Sequence, residues 1–199
     1  MNTNIFDVSN EVVVITGGSG QLGFQYISLF LKNNSKVISI DKYESEEIKK
    51  LKNKFSNSFL SFSCDITIKK SVISVAKEIN NKFGPVTVLV NNAAIDSPPN
   101  SSSSETGPFE SYPEKSWDNV MNVNLKGVFN LCQVFGKIMA TNKKGSIINI
   151  SSIYGLVSPD QSIYEYKRKK GEVFYKPVAY SVSKSGLRNM TKYLAVYWA

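Results

Sequence analysis

The chain contains no histidine. That absence excludes a Ser-His-Asp triad, a histidine-ligated metal and any imidazole acid–base step. Its two cysteines, Cys64 and Cys132, cannot supply a C-x-x-C motif or a four-thiolate zinc site. They read as buried free thiols of a reducing compartment. No apolar run approaches the roughly 18–20 residues needed to cross a bilayer. Residues 1–10 lack the basic start and apolar stretch of a signal peptide. We therefore expect a soluble, cytoplasmic protein with no membrane partner and no metal. The 199 residues are 42% hydrophobic and 20% charged, enough to bury a core. The net charge of +8 comes from lysines spread along the chain, and only Lys167, Arg168, Lys169 and Lys170 form a cluster. With no basic face interleaved by aromatics, no nucleic-acid partner is expected.

Apolar periodicity alternates between strand-like and helix-like. Residues 12–15 (VVVI) form a β-branched run ending in Thr16-Gly17-Gly18, as a buried parallel strand does. Residues 21–32 place Leu22, Tyr26, Leu29 and Phe30 at helical spacing. Further strands are expected at 36–41, 59–64, 86–90 and 146–150. Between them, helix-like sequence extends to about residue 54. Thr67 is positioned to cap a helix carrying Val72, Ile73, Ala76 and Ile79. A polar loop over about 96–113 precedes a long helix at 114–140. An irregular stretch from about 154 to 177 precedes a last helix carrying Leu187, Met190, Leu194 and Val196. Strands alternating with helices specify an α/β fold, a Rossmann-type doubly wound parallel sheet with helices on both faces.

The first strand runs into Thr16-Gly-Gly-Ser-Gly-Gln-Leu-Gly23, in which Gly18, Gly20 and Gly23 satisfy G-x-G-x-x-G where strand meets helix. One glycine serves the tight turn, one the close approach of a pyrophosphate and one the packing of helix on strand. The helix N-terminus then offers free N–H groups to the phosphates. Gly17, Gly18, Gly20, Gln21, Leu22 and Gly23 are the candidate contacts. Asp41, at the end of the second strand, lies where a carboxylate accepts hydrogen bonds from the ribose hydroxyls. This predicts a dinucleotide site, with NAD rather than NADP, because the 2′-phosphate of NADP would meet a like charge.

TGGSGQLG (16–23), Asp41, Asp65 in Cys-Asp-Ile-Thr, NNAA (91–94), NVNLKG (122–127), INISS (148–152) and YSVSK (180–184) appear in that order. In this ordered set the chain resembles the short-chain dehydrogenase/reductase family, over essentially its whole length. The resemblance implies one NAD(P)-binding domain over 1–199, with residues 158–176 an insertion. It implies hydride transfer between a nicotinamide and a secondary alcohol or ketone. Tyr180 would be the general acid/base. Lys184, one helical turn on, would favour the phenolate and hold the nicotinamide ribose. Ser152 would hydrogen-bond the substrate oxygen, and Asn124 would hold a relay water. Asp65 and Ile66 would meet the adenine, and Asn91 and Ala93 would line the cofactor. Homodimers or homotetramers are implied. A rival Y-x-x-x-K exists in Tyr166 and Lys170, but basic residues follow Tyr166, whereas Ser181, Ser183, Ser185 and Gly186 follow Tyr180. Small residues let a helix approach a flat cofactor, so Tyr180 is chosen.

Gln21 and Ala94 depart from the family pattern, and the glycine spacing also occurs in the branch containing sugar-nucleotide epimerases and dehydratases. Family members typically continue about 50 residues beyond Ala199, so the last strands of the fold are expected to be missing. The reading is an oxidoreductase acting on a small molecule, a sugar or sugar nucleotide of surface-glycan biosynthesis. The Lys167–Lys170 cluster could meet an anionic substrate. A 3-oxoacyl-thioester reductase, an epimerase or dehydratase, and a non-catalytic dinucleotide-binding protein stand as alternatives.

Overall fold

A computed structural model describes residues 5–96 and 105–199. Of the loop expected at 96–113, the serine run therefore lies outside the described residues. The chain folds as two compact units. The first comprises residues 1–93 and 127–150, the second residues 94–126 and 151–199.

Among the described residues, five strands belong to the first unit: β1 (Val12–Thr16), β2 (Lys36–Asp41), β3 (Phe59–Ser63), β4 (Val88–Asn91) and β5 (Ser146–Asn149). They form one parallel sheet in the order β3-β2-β1-β4-β5. β1 is completely buried because its β-branched side chains are covered on both faces. Chain order reverses between β1 and β4, and open α/β sheets bind ligands outside the carboxyl ends of the strands at such a switch point. Here those ends are Thr16 and Asn91. The sheet ends at β5, where Ile148 remains 44% exposed.

Helices α1 (Gln21–Lys32), α2 (Glu46–Lys54) and α3 (Lys69–Phe83) connect the strands. Of the expected face of α1, Tyr26 and Phe30 pack half-buried against the core, but Leu22 and Leu29 are exposed, and the buried positions are Gly23, Ile27 and Leu31. Gly23 must abut the preceding turn, and this requirement fixes the rotation of the helix. On α3 the buried stripe is Val72, Val75, Ala76, Ile79 and Phe83, with Ile73 outside it. Thr67 does not cap this helix. Its hydroxyl donates instead to Asp65 Oδ1 at 2.7 Å, and α3 begins after Ile68 without a side-chain cap.

The helix expected at 114–140 is interrupted. Helix α4 (Glu114–Met121) leads into a π-helical stretch, Asn122–Gly127; α5 (Val128–Leu131) and α6 (Lys137–Thr141) flank a second, Cys132–Gly136. π-turns are rare and concentrate at functional sites; the first contains fully buried Asn124. In the second unit, the stretch expected to be irregular forms short helical turns, including α7 (Glu165–Arg168). Helix α8 (Val178–Tyr197) follows. On it Leu187 is buried, but Val196, expected on the apolar stripe, is 80% exposed. Among the described residues, no helix is long and apolar enough to cross a membrane.

Candidate active site

In the first unit, the turn after β1 is held from two sides. Gly17 N–H donates to Ile40 O at 2.8 Å. Asn92 Nδ2 donates to Thr16 O at 2.9 Å, and Thr16 Oγ1 accepts the N–H groups of Asn92 and Ala93. The glycines have distinct duties. Gly17 has φ +68°, a left-handed conformation that side chains disfavour. A Cβ on Gly18 would fall 2.0 Å from Ser39 Oγ, and one on Gly23 2.1 Å from Gly17 O. Among the described residues, a Cβ on Gly20 would meet only Gly17 O, at 3.3 Å, so they leave the space beside Gly20 otherwise open. Helix α1 starts there with no side-chain cap and no acidic residue in its first turn, leaving its N–H groups to an anion. Gln21 and Leu22 are exposed at this end. These features fit the pyrophosphate of a dinucleotide.

Asp41 accepts the Ser19 N–H at 3.0 Å through Oδ2 and the Tyr43 N–H at 3.4 Å through Oδ1, which fixes its carboxylate beside the glycine turn. Lys42 turns to Asp65, 2.8 Å away. Burial opposes ionisation of Asp65, but Lys42 and Thr67 together hold its carboxyl below the usual range. Ile66 is buried, and Asn130 Nδ2 donates to the carbonyls of Ile66 and Thr67 at 3.0 and 3.2 Å. Asn91 donates to Asn149 Oδ1 at 2.8 Å, and its own Oδ1 is buried without a partner among the described residues. Cys64 and Cys132 are free and buried. Burial pushes the Cys132 thiol up to about 11, opposed by Asn91, so it is not a nucleophile at neutral pH.

In the second unit, α8 carries Tyr180 and Lys184 on one face, with the Lys184 ammonium 5.7 Å from the Tyr180 ring centroid. The segment bearing Ser152 is locked onto α8. Ser151 Oγ donates to Lys184 O at 3.0 Å, and a Cβ on Gly155 would lie 2.7 Å from the Lys184 backbone. Ser152 Oγ accepts the Tyr154 N–H at 3.2 Å, so its own proton remains available to donate. The Asn124 side chain accepts from Ile95 N at 2.8 Å and donates to Ile95 O at 2.9 Å and to Ser183 Oγ at 3.1 Å; Ser183 donates onward to Tyr180 O. This amide is committed to holding the chain around Tyr180. Tyr180 lines a cavity of about 500 Å³ with Asp96, Glu105, Tyr112, Ser116 and Asn119. Tyr166 is 57% exposed on the four-residue α7.

Burial pushes the Lys184 ammonium down to about 8, and the Asp96 carboxylate opposes this. The unfolded lysine keeps its proton up to about 10.4. Between these values unfolding takes up a proton, so this residue's contribution makes stability rise with pH through that window. Melting curves of the wild type and Lys184→Met should therefore show the wild type gaining relative to the variant above about pH 8. A gap independent of pH would mean that folded Lys184 retains its proton.

Several site residues escaped sequence reasoning. Asn92, Asn130 and Ser183 act as braces, and an Asn or Ser brace has no spacing signature. The Asp96–Lys176 ion pair joins residues 80 apart in sequence. The Lys167–Lys170 cluster mostly folds its own segment: Lys167 faces Glu172, Lys169 faces Glu165, and Arg168 donates to the carbonyls of Gln161 and Phe174.

The family model for short chain dehydrogenase matches residues 11–167. The matched span includes the glycine turn, Asp41, Asn91, Asn124, Ser152 and Tyr166 and stops before Tyr180. The chain is 28% identical over 195 residues to an NAD-dependent glycerol dehydrogenase of Listeria innocua, covering 98% of this chain and 67% of that protein. It is 26% identical over 196 residues to a D-threitol dehydrogenase of Mycolicibacterium smegmatis, covering 97% and 66% respectively. A crystal structure of a short chain dehydrogenase from Leptospira borgpetersenii with bound NAD+ superposes with a TM-score of 0.79 at 30% identity, over 96% of this chain and 66% of that one. The chain thus spans about two thirds of the length of the relatives it matches. With the switch-point sheet, the glycine turn and the matched family model in agreement, the chain belongs to the short chain dehydrogenase family.

Proposed function

We propose that the chain is an NAD-dependent oxidoreductase that interconverts a secondary alcohol and a ketone. The observation that carries this reading is Tyr180 on one face of α8 with Lys184, lining a cavity, with the Ser152 segment locked to the same helix. Bound NAD supplies the hydride acceptor, or as NADH the donor. Ser152 donates a hydrogen bond to the substrate oxygen and orients it. Tyr180 exchanges a proton with that oxygen, acting as base in oxidation and as acid in reduction. Lys184 supplies positive charge next to the phenol and would hold the nicotinamide ribose. Asn124 acts as a brace through Ile95 and Ser183.

The substrate is read as an uncharged polyol or sugar. The cavity at Tyr180 is rich in hydrogen-bonding groups: Asp96, Glu105, Tyr112, Ser116 and Asn119. Two of these are carboxylates, set against the Lys176 and Lys184 ammonium groups near Tyr180, so the surroundings carry no excess positive charge to select an anion. Two of the matched relatives are named for glycerol and D-threitol. A second cavity of about 630 Å³, lined in part by Phe109, Leu156, Val157 and Val182, supports a 3-oxoacyl-thioester as an alternative substrate. A panel of polyols, ketoses and 3-oxoacyl-thioesters, followed through nicotinamide absorbance, separates these: polyol turnover supports the first reading, and reduction of thioesters alone overturns it.

The preference for NAD follows from Asp41. The adenosine 2′-phosphate of NADP would bring a charge to about 4 Å from this fixed carboxylate, a repulsion of roughly 4 kcal/mol at an effective dielectric of 20 before screening. A third of that corresponds to about tenfold in affinity. Lys42 does not relieve the repulsion, because it pairs with Asp65. Calorimetric titration should show tighter NAD than NADP binding, with Asp41→Ser narrowing or reversing the ratio. Tighter NADP binding by the wild type would remove Asp41 from this role.

A further inference from the structure

Lys176 ends the 158–176 segment, and Gln161 grips its backbone on both sides. The Lys176 N–H donates to Gln161 Oε1 at 2.9 Å, and its carbonyl accepts from Gln161 Nε2 at 3.2 Å. Arg168 ties the segment to itself through Gln161 O and Phe174 O, at 2.9 and 3.1 Å, and Tyr175 N–H donates to Thr106 O at 2.7 Å. The side chain held in this way is only 13% exposed. Its ammonium pairs with Asp96 and lies 5.1 Å from the Tyr180 ring centroid and 6.0 Å from that of Tyr154. Tyr180 thus has two ammonium groups near its ring, Lys176 and Lys184, and one carboxylate joined to the first.

From this geometry we propose that Lys176 and Asp96 are positioning residues that set the charge around Tyr180 and Lys184, and that the 158–176 segment serves to deliver Lys176. The proposal rests on reading Tyr180 as the acid/base. Lys176 alone would add a second positive charge beside the phenol and push Lys184 toward its neutral form. Asp96 alone would place a carboxylate there and oppose a phenolate. Together they cancel, leaving Lys184 as the net charge of the group. The Asp96 carboxylate already acts in this sense, favouring the Lys184 ammonium against its burial. Other titratable or charged groups of the same unit near them are Tyr154 and Tyr164, Tyr112 with Glu105, and Arg188, one turn beyond Lys184 on α8 and donating to Gly155 O. Burial pushes Tyr164 up to about 12, and burial, Glu105 and Asp96 raise Tyr112, so neither adds charge at neutral pH. An anion-binding role for Lys176 is less favoured, because Asp96 already occupies the ammonium.

Two ammonium groups 5.1 and 5.7 Å from one ring centroid lie within about 11 Å of each other; at that separation and an effective dielectric of 20 a unit charge moves a neighbour's ionisation by about one pH unit, which solvent reduces and a closer approach increases. The test follows Lys184 by NMR titration of its side chain in the full chain without substrate, the resonance being assigned by its loss in Lys184→Met. Lys176→Met should move the titration to higher pH by about half to one unit and Asp96→Asn to lower pH by a similar amount. The double variant should return close to the wild type, and Lys176→Arg should leave it in place. The pH profile of kcat/KM for the best substrate of the panel should move in the same directions. Since Asp96→Asn leaves Lys176 buried without its partner, the Lys176→Met shift is decisive if that variant does not fold. An unmoved titration, or shifts of the same sign in both single variants, overturns the proposal and marks the pair as a structural strut. Tyr180→Phe run in parallel separates the two readings: if it keeps turnover, the acid/base assignment fails and this proposal with it. If it is inactive while the titrations stay in place, only the charge-setting role fails.

Discussion

Replacing Tyr180 with phenylalanine should lower kcat by about 10²- to 10⁴-fold, the range that a positioned general acid–base contributes, with little change in NAD affinity. The substitution removes one oxygen and keeps the ring that faces the Lys184 and Lys176 ammonium groups, so the second unit should melt unchanged. Tyr166→Phe serves as the comparison, because Tyr166 stands in the same Y-x-x-x-K spacing but is largely exposed. It should retain wild-type turnover. Steady-state kinetics of the two variants side by side distinguish the tyrosines: loss of activity in Tyr166→Phe with an active Tyr180→Phe would reverse the assignment.

The glycine turn should give the second large effect, with opposite outcomes at two nearby positions. A Cβ on Gly23 would lie 2.1 Å from Gly17 O, 2.8 Å from Gly17 C and 2.9 Å from Gly18 Cα. All three are backbone atoms, so no flexible side chain can move aside. Gly23→Ala should cost about 1–3 kcal/mol or more in stability by overpacking, and abolish measurable NAD binding by pushing α1 off the turn. Gly20→Ala meets only Gly17 O at 3.3 Å and should melt close to the wild type. Its methyl group would nevertheless project into the open space assigned to the pyrophosphate, so NAD affinity should fall sharply. Thermal melting with calorimetric NAD titration checks both. Equal stability loss at the two positions would show that Gly20 has a packing role, and unchanged NAD affinity in Gly20→Ala would place the pyrophosphate elsewhere.

Local pattern and long-range pairing differ in how far they can be read from the chain. The buried β1 run, the glycine turn and Asp41 are dictated by neighbours within a few residues, and the structure places all three as expected. The apolar face of α1 is legible in part: Tyr26 and Phe30 pack on the core, whereas Leu22 and Leu29 share their spacing and stay exposed, because the deciding residue is Gly23, which has no side chain for an apolar pattern to register. Thr67 has the chemistry of a helix cap, but Asp65 two residues earlier captures its hydroxyl. Asn124 is a poor helix former in sequence terms. Its π-turn and its bonds to Ile95 and Ser183 depend on the fold bringing residues 29 and 59 positions away to it. The Lys167–Lys170 cluster stood out in the sequence, yet its ion pairs and carbonyl contacts hold its own segment. Of the two lysines beside Tyr180, Lys184 is legible from its spacing on the same helix, whereas Lys176 is one that no short-range pattern singles out.

Hydride leaving the substrate carbon for the cofactor can be followed by isotope labelling. The chain would be mixed with NAD and a polyol deuterated at its carbinol carbons, and the reduced cofactor recovered for mass spectrometry. NADH carrying one deuterium should form with the wild type, and about 10²- to 10⁴-fold more slowly with Tyr180→Phe. Tight NAD binding with no deuterium transferred from or to any polyol or ketose of the panel would contradict hydride transfer and leave a dinucleotide-binding protein without this chemistry.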